Sequence, residues 1–221
     1  MKRSIIITED GSHTLYLPEM DEHYHSVHGA VQESMHVFIN TGFNGIQTNK
    51  LTVFEVGFGT GLNAWLTLVA SKQQQKQVNY YTIEKYPLKS EEYCTLNYGI
   101  LAGDNQQQQF LQLHNCEWEQ PVAITPSFRV TKLKADLTSF NFENLPLFDL
   151  IYFDAFAPNK QEGLWNTTIF QQLFDHCNNE AILVTYSAKG DVRRSLQAVG
   201  FNVERIPGPP GKREMLRARK R

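Results

Sequence analysis

The chain has 221 residues, of which 41% are hydrophobic and 20% charged, with a formal net charge of −2 and three cysteines. This composition is typical of one globular domain, or of one domain with a small appendage, and it excludes a fibrous or fully disordered chain. No apolar run approaches the roughly 20 residues of a membrane span. The widely spaced, odd-numbered cysteines predict neither a disulfide framework nor a zinc knuckle, so we expect a cytoplasmic protein.

Residues 1–45 are predicted to form an N-terminal appendage that consists of a hairpin and a helix. Two β-rich runs flank Asp10 and Gly11, a pair typical of a tight hairpin turn. Apolar side chains then recur at spacings near three and four in residues 25–40, which favours a helix. We expect residues 46–221 to form the main domain.

Strand and helix patterns alternate along the main domain. Strands are predicted at 51–56, 78–83, 128–133, 148–153, 181–186 and 201–206, with a last short one at 215–218. Helices are predicted at 62–71, 87–97, 165–177 and 192–199. Two glutamine-rich stretches, 73–75 and 106–109, are predicted to be surface segments. The alternation indicates an α/β, Rossmann-like fold: a mostly parallel twisted sheet with helices on both faces.

A glycine-rich loop follows the first strand of the main domain and opens a helix. Its glycines, Gly57, Gly59 and Gly61, allow a tight turn and the close approach of a ligand. Dinucleotide-binding loops have glycines at the first, third and sixth positions instead, and the lysine of a P-loop is absent. Glu55 precedes the first glycine, where a carboxylate would repel pyrophosphate but suit a cationic ligand. The alternative is an ordinary strand-to-helix turn.

This loop resembles motif I of the class I S-adenosylmethionine-dependent methyltransferases. The ligand of that superfamily carries a sulfonium, an ammonium and a ribose but no phosphate, which suits the pattern of charges. The resemblance implies that Glu84, at the end of the second strand, accepts hydrogen bonds from the ribose hydroxyls. It also implies that Asp136, after the third strand, addresses the adenine amino group. Glu55, Asp154 and the three glycines complete the predicted cofactor site.

The candidate acceptor site begins where the fourth strand ends, at Asp154. In an open parallel sheet, ligands bind beyond the carboxyl ends of the strands, so Asp154 is expected beside the glycine loop. An aspartate followed by an aromatic residue and a proline, here Phe156 and Pro158, occurs where N-methyltransferases align an amine. Asp154 would orient the uncharged amine, and Phe156 would stack on a base. The alternatives are a turn-capping aspartate and ordinary core packing of Phe156.

A closer resemblance covers nearly the whole chain. Stretches 55–62 and 154–165 are similar to the MnmC and MnmD family of methyltransferases, and 24–38 and 211–216 fit the same family. This family completes 5-methylaminomethyl-2-thiouridine at the wobble position of tRNA. The resemblance implies methylation of the amine of 5-aminomethyl-2-thiouridine by a one-domain enzyme that uses S-adenosylmethionine. It further implies binding to the tRNA anticodon loop, with no metal and no flavin.

Several residues are candidates for binding the RNA. A wobble base lies in a loop, where it can be turned outward and stacked on an aromatic side chain. Residues 212–221 contain six basic residues and one acidic residue, which suit phosphate contacts; a solubilising tail is the alternative. The predicted substrate-binding residues are Phe156, Lys160, Trp165, Lys212 and Arg213.

Several sequence patterns are compatible with two interpretations. His23, His25 and His28 suggest a metal site, but polar surface or pocket histidines are favoured because partners at ligand spacing are few. Tyr24 and Glu33, like Ser26, either reach the cofactor or acceptor or serve in helix packing and capping. The alternative functions for the chain as a whole are methylation of a small amine or a protein, aminopropyl transfer, and a non-enzymatic RNA-binding role.

Overall fold

The computed structural model describes residues 2–102 and 106–221. Its N-terminal part is a three-stranded antiparallel sheet of β1 (Ser4–Ile7), β2 (His13–Leu17) and β3 (Glu22–His23). The helix α1 (Ala30–Ser34) follows and continues as a π-helical turn over Met35–Asn40. The expected hairpin and helix are therefore present.

The main domain is built on one eight-stranded sheet. Its strands are β4 (Lys50–Val56), β5 (Gln77–Ile83), β6 (Pro121–Thr125), β7 (Phe128–Leu133), β8 (Phe148–Phe153), β9 (Cys177–Thr185), β10 (Asn202–Pro207) and β11 (Glu214–Arg219). Its helices are α2 (Leu62–Gln73), α3 (Ser90–Tyr93), α4 (Tyr98–Leu101), α5 (Gln107–Asn115), α6 (Thr167–Asp175) and α7 (Gly190–Ala198). In the described ranges, no helix has both the length and the apolar character needed to cross a membrane.

The strand order across the sheet is β10-β11-β9-β8-β4-β5-β7-β6. The five central strands, from β9 to β7, run parallel, whereas β6 at one edge and β11 and β10 at the other pair antiparallel. The predicted Rossmann-like α/β fold is confirmed. The strand order reverses between β4 and β8, so the loops that follow these two strands lie next to each other, at the place where such sheets bind ligands.

Successive side chains of the central strands point to opposite faces of the sheet. Both faces are buried, each in a hydrophobic cluster. Val53 joins a cluster with Trp65 of α2 and Phe38 of the N-terminal helix. Its neighbour Phe54 joins a second cluster, on the other face, with Phe170 of α6. The first cluster thus spans both sides of the proposed boundary between residues 45 and 46, and that boundary stays a prediction.

Two parts of the predicted secondary structure are wrong. The helix expected at 87–97 is reduced to the single turn Ser90–Tyr93, followed by a second turn at Tyr98–Leu101. The segment 106–125 holds two elements that the sequence did not predict, α5 and β6. The glutamines hide α5, whose few apolar residues, such as Phe110 and Leu113, are nevertheless buried in the core.

The basic end of the chain is not a tail. It contains β11, which pairs with β9 on one side and β10 on the other. Leu216 and Ala218 are completely buried. Two of its arginines pair with carboxylates instead of standing free: Arg217 Nη2 lies 2.7 Å from a Glu204 oxygen, and Arg219 Nη1 lies 3.3 Å from a Glu180 oxygen. The alternation of buried and outward side chains is that of a strand within a sheet.

We predict that Leu216→Ala destabilises the protein by about 2–5 kcal/mol, because it leaves a cavity in the core. Arg217→Ala, its neighbour on the same strand, should cost less than about 1 kcal/mol, because it removes a partly exposed ion pair. Urea denaturation followed by circular dichroism measures both values. Equal, small effects of the two substitutions would contradict the placement of this segment in the sheet.

Candidate active site

A cavity of about 630 Å³ opens beyond the carboxyl ends of the central strands. Its walls come from the glycine loop after β4, the ends of β5 and β7, the loop after β8, and the N-terminal part of the chain. Gly57, Gly59, Glu84, Asp136 and Asp154 all line it. The structure thus brings most of the predicted cofactor site together in one place.

The backbone amides of the three loop glycines donate hydrogen bonds to other groups of the protein. The amide of Gly57 donates to the Ile83 carbonyl (3.0 Å), and that of Gly61 to the Phe58 carbonyl (2.8 Å). The amide of Gly59 donates to Glu84 Oε2 at 3.0 Å. Phosphate-binding loops present such amides to the anion. Here one of them is capped by a carboxylate, so the loop suits a cationic or hydroxyl-bearing ligand.

The loop conformation also requires glycine. Gly57, Gly59 and Gly61 have φ values of +89°, +48° and +73°, in the region where only glycine is unstrained. A Cβ on Gly57 would lie 2.9 Å from the Asp154 carbonyl oxygen, and one on Gly61 would lie 2.7 Å from His114 Nε2. Gly61 does not line the cavity. Its role is therefore to let the loop turn into α2.

Two carboxylates stand at the ends of β5 and β7. Glu84 Oε1 accepts a hydrogen bond from the Tyr86 amide (2.7 Å) while its other oxygen binds Gly59, which fixes the carboxylate at the cavity wall. Asp136 accepts from Lys85 Nζ at 2.7 Å and from the Thr138 amide at 3.0 Å. These hydrogen bonds, that of Lys85 foremost, lower the pKa of Asp136 to about 2. Both groups can accept hydrogen bonds from a ligand.

Glu55 lies elsewhere than expected. It is completely buried on β4, close to Thr82 and Tyr80, and does not line the cavity. Burial raises its pKa well above the ordinary value. A direct contact of Glu55 with a cofactor stays a prediction.

Asp154 is recessed where the loops after β4 and β8 meet. Its amide donates to the Val56 carbonyl (3.1 Å), and its Oδ2 accepts from Asn63 Nδ2 (2.7 Å). Burial and the nearby charge of Glu33 raise the pKa of Asp154 to about 7. The carboxyl can therefore gain or lose a proton near neutrality, as a general base needs to do.

Phe156 lines the acceptor side of the cavity, and three contacts hold its loop. The Phe156 amide donates to Gln161 Oε1 (2.9 Å), and its carbonyl accepts from Trp165 Nε1 (2.8 Å). The Tyr186 hydroxyl donates to the Ala155 carbonyl (2.8 Å). Trp165 itself is buried against Phe153 and does not line the cavity. Its position is that of a support for the acceptor loop.

The N-terminal part of the chain forms the remaining wall. Tyr24 packs edge-on against Phe156, with ring centroids 5.0 Å apart, and its hydroxyl accepts from Arg3 Nε (2.8 Å). His25 Nε2 lies 2.6 Å from the Thr60 hydroxyl in the glycine loop. The sequence had left the role of Tyr24 open and had not pointed to Arg3, because neither belongs to a local motif of the Rossmann-like core.

The three basic residues predicted to contact the substrate lie in three different places. Lys160 Nζ donates to the Met20 carbonyl (2.6 Å) and thereby ties the acceptor loop to the N-terminal part. Lys212 points into the cavity, where it contacts the carboxylate of Glu33. Arg213 is exposed and does not line the cavity. Of these three, Arg213 is the most exposed to solvent.

The three N-terminal histidines have separate partners. His23 packs against the Tyr16 ring, His25 contacts Thr60, and His28 Nδ1 lies 3.0 Å from a Glu9 oxygen. Within residues 2–102 and 106–221, no group of three or more histidine, cysteine, aspartate or glutamate side chains is arranged to hold a metal ion.

The comparisons with known proteins agree with this site. Residues 106–221, just over half of the chain, match the family described as S-adenosyl-L-methionine-dependent methyltransferase. The chain belongs to this family. It is an enzyme of the α/β class I methyltransferase fold, and its cofactor is S-adenosylmethionine.

Individual relatives are similar to nearly the whole chain. The chain is 32% identical over 232 residues to the tRNA 5-methylaminomethyl-2-thiouridine biosynthesis bifunctional protein MnmC of Cupriavidus metallidurans, covering 97% of this chain and 33% of that protein. The protein of the same name from Actinobacillus pleuropneumoniae is 31% identical over 224 residues, covering 90% of this chain and 32% of the relative. The chain thus spans about a third of the length of these curated relatives.

Solved structures show the same fold. The crystal structure of MNMC2 from Aquifex aeolicus superposes with a TM-score of 0.80 and 26% identity, covering 98% of this chain and 70% of that one. Spermidine synthase from Thermotoga maritima superposes with a TM-score of 0.61 but only 13% identity, covering 99% and 69%. The second likeness concerns the fold alone.

We predict that Glu84→Gln weakens S-adenosylmethionine binding about tenfold or more, because the neutral amide loses charge-assisted acceptor capacity toward the ribose hydroxyls. Calorimetric titration of the folded variant gives the dissociation constant. The matched control is Glu91→Gln, which changes an exposed carboxylate outside the cavity and should leave binding unchanged. An unaltered dissociation constant for Glu84→Gln would refute the ribose assignment.

Proposed function

We propose that the chain transfers a methyl group from S-adenosylmethionine to the amine of 5-aminomethyl-2-thiouridine at the tRNA wobble position, giving 5-methylaminomethyl-2-thiouridine. The observation that carries the proposal is Asp154, a carboxyl with a pKa near 7 at the junction of the glycine loop and the acceptor loop. The names of the relatives support the choice of substrate. A cytoplasmic location and a tRNA anticodon loop as partner belong to the same proposal.

The cavity residues fit the proposed donor. Glu84 would accept hydrogen bonds from the ribose, Asp136 from the adenine amino group, and the backbone of Gly57 and Gly59 would allow close approach. The internal bonding of the glycine amides favours a ligand without phosphates. When bound, S-adenosylmethionine supplies an electrophilic methyl group on a sulfonium.

Asp154 would prepare the acceptor. An alkylamine is mostly protonated at neutral pH and has no lone pair for the methyl carbon until it loses a proton. One oxygen of Asp154 is held by Asn63, which fixes the carboxylate while the group still reaches the cavity. The carboxylate would take the proton of the amine and orient the lone pair, and Phe156 would stack on the uracil ring.

Basic side chains on the surface are the candidates for contacts with the RNA backbone. Arg213 is exposed and remains a candidate phosphate contact. Lys160 would act indirectly by holding the acceptor loop against Met20, and Trp165 by supporting Phe156. Lys212 would act inside the cavity.

We predict that Asp154→Asn lowers the turnover number at least about 100-fold, because the amide cannot take the amine proton. S-adenosylmethionine should still bind within about twofold of the parent. The assay incubates the protein with tRNA bearing 5-aminomethyl-2-thiouridine and detects methylated nucleoside by mass spectrometry. Asp175→Asn, an exposed change at the end of α6, is the matched control and should retain full activity.

Two results would count against this proposal. Retained turnover in Asp154→Asn would remove the carboxylate from the chemistry. A parent protein that binds S-adenosylmethionine but leaves this tRNA unmodified would refute the substrate. Replacing the donor by its decarboxylated form tests aminopropyl transfer in the same assay, and we expect no product from it.

A further inference from the structure

An ion pair between a buried glutamate and a partly exposed lysine lies on the acceptor side of the cavity. Glu33, on α1, is almost completely buried; its Oε2 accepts from the Ser26 amide (2.8 Å) and its Oε1 contacts Lys212 Nζ. Lys212 comes from the segment that precedes β11, and its Nζ lies 4.0 Å from the centroid of the Tyr186 ring. The pair therefore links the two ends of the chain across the site.

This pair lies next to the proposed base. The Tyr186 hydroxyl donates a hydrogen bond to the carbonyl of Ala155, the residue after Asp154. Lys212 lies over the ring of the same tyrosine. Glu33, Lys212 and Asp154 line one cavity. Their charges act on Asp154 in opposite directions: Glu33 raises its pKa and Lys212 lowers it.

Burial shifts the pKa values of most other titratable groups around Asp154 in the direction that favours the uncharged form. Glu55 and Tyr80, which approach from the sheet, have strongly raised pKa values, as does Tyr186. Burial lowers the pKa of His25, which faces the ion pair, to about 4. Glu22, on β3, is partly exposed at the cavity wall. Glu33 and Lys212 therefore remain as charged residues that line the same cavity as Asp154 and act on its pKa.

We propose that Glu33 and Lys212 are positioning residues that set the protonation state of Asp154 and keep the acceptor amine from pairing with Glu33. This inference rests on the proposed function. Without Lys212, the bare carboxylate of Glu33 would attract an arriving ammonium and hold it protonated, which prevents attack on the methyl group. With Lys212 in place, the ammonium meets Asp154, and its proton moves to a carboxylate oxygen of that residue.

The test is a titration of the Asp154 carboxyl carbon by ¹³C nuclear magnetic resonance, with Asp154→Asn used to assign the signal. Lys212→Gln should raise the midpoint and Glu33→Gln should lower it, each on the order of one pH unit. The double variant, which removes both charges, should return close to the parent. Lys212→Arg keeps the charge and should leave the midpoint unchanged.

The opposite signs separate this role from a structural one. Loss of packing alone would admit water and lower the midpoint in both single variants. A common downward shift, or no shift in either variant, would overturn the proposal. The titration contains no tRNA, so it tests the ion pair even if the parent fails to methylate aminomethyl-thiouridine, which is the failure of the proposed function. Near-ultraviolet circular dichroism verifies that each variant is folded.

Discussion

The hydrogen bond from the Gly59 amide to the Glu84 carboxylate is the constraint on which the donor site depends. It joins the end of β4 to the end of β5 and occupies an amide that a phosphate-binding loop would present to its ligand. A Rossmann-like fold offers the same crevice to many ligands. In this chain the carboxylate occupies the Gly59 amide and offers acceptors to hydroxyl groups. We expect this arrangement to favour a ligand without phosphates.

On the acceptor side, burial raises the pKa of a carboxyl group. Because Asp154 is partly shielded from water and Glu33 is near, the pKa of its carboxyl is raised to about 7. An acid whose pKa is raised by folding costs no stability below its unfolded pKa, and the cost grows as the pH rises toward the folded value. The ionised form that the reaction needs is therefore the form that destabilises the fold. Binding a cationic amine beside Asp154 would offset that cost.

The sequence predicted the centre of the fold and of the site well. Gly57, Glu84 and Asp154 each follow a strand that is a short apolar run. A parallel sheet brings the ends of these strands together independently of the other segments. It failed where distant packing decides the structure. The glutamine-rich face of α5 hides a few core contacts, whereas the short strand predicted at 215–218 is present as the centre of β11.

The same reason explains the site residues that sequence patterns missed or misplaced. The sequence misses Arg3 and leaves the roles of Tyr24 and Glu33 open, because the N-terminal part reaches the cavity by folding over it and no local spacing encodes that contact. Glu55 illustrates the converse, since its position before the glycines suggested a ligand contact. Alternation along β4 instead places the side chain in the buried interior, where its pKa is raised.

The central claim is that the crevice selects a phosphate-free sulfonium donor through carboxylates. Its most direct test is calorimetric titration of the unmodified protein with S-adenosylmethionine and, separately, with a nicotinamide dinucleotide. The account predicts saturable binding of S-adenosylmethionine at one site per chain and no binding of the dinucleotide. Binding of the dinucleotide, or the absence of any heat with S-adenosylmethionine, would contradict it.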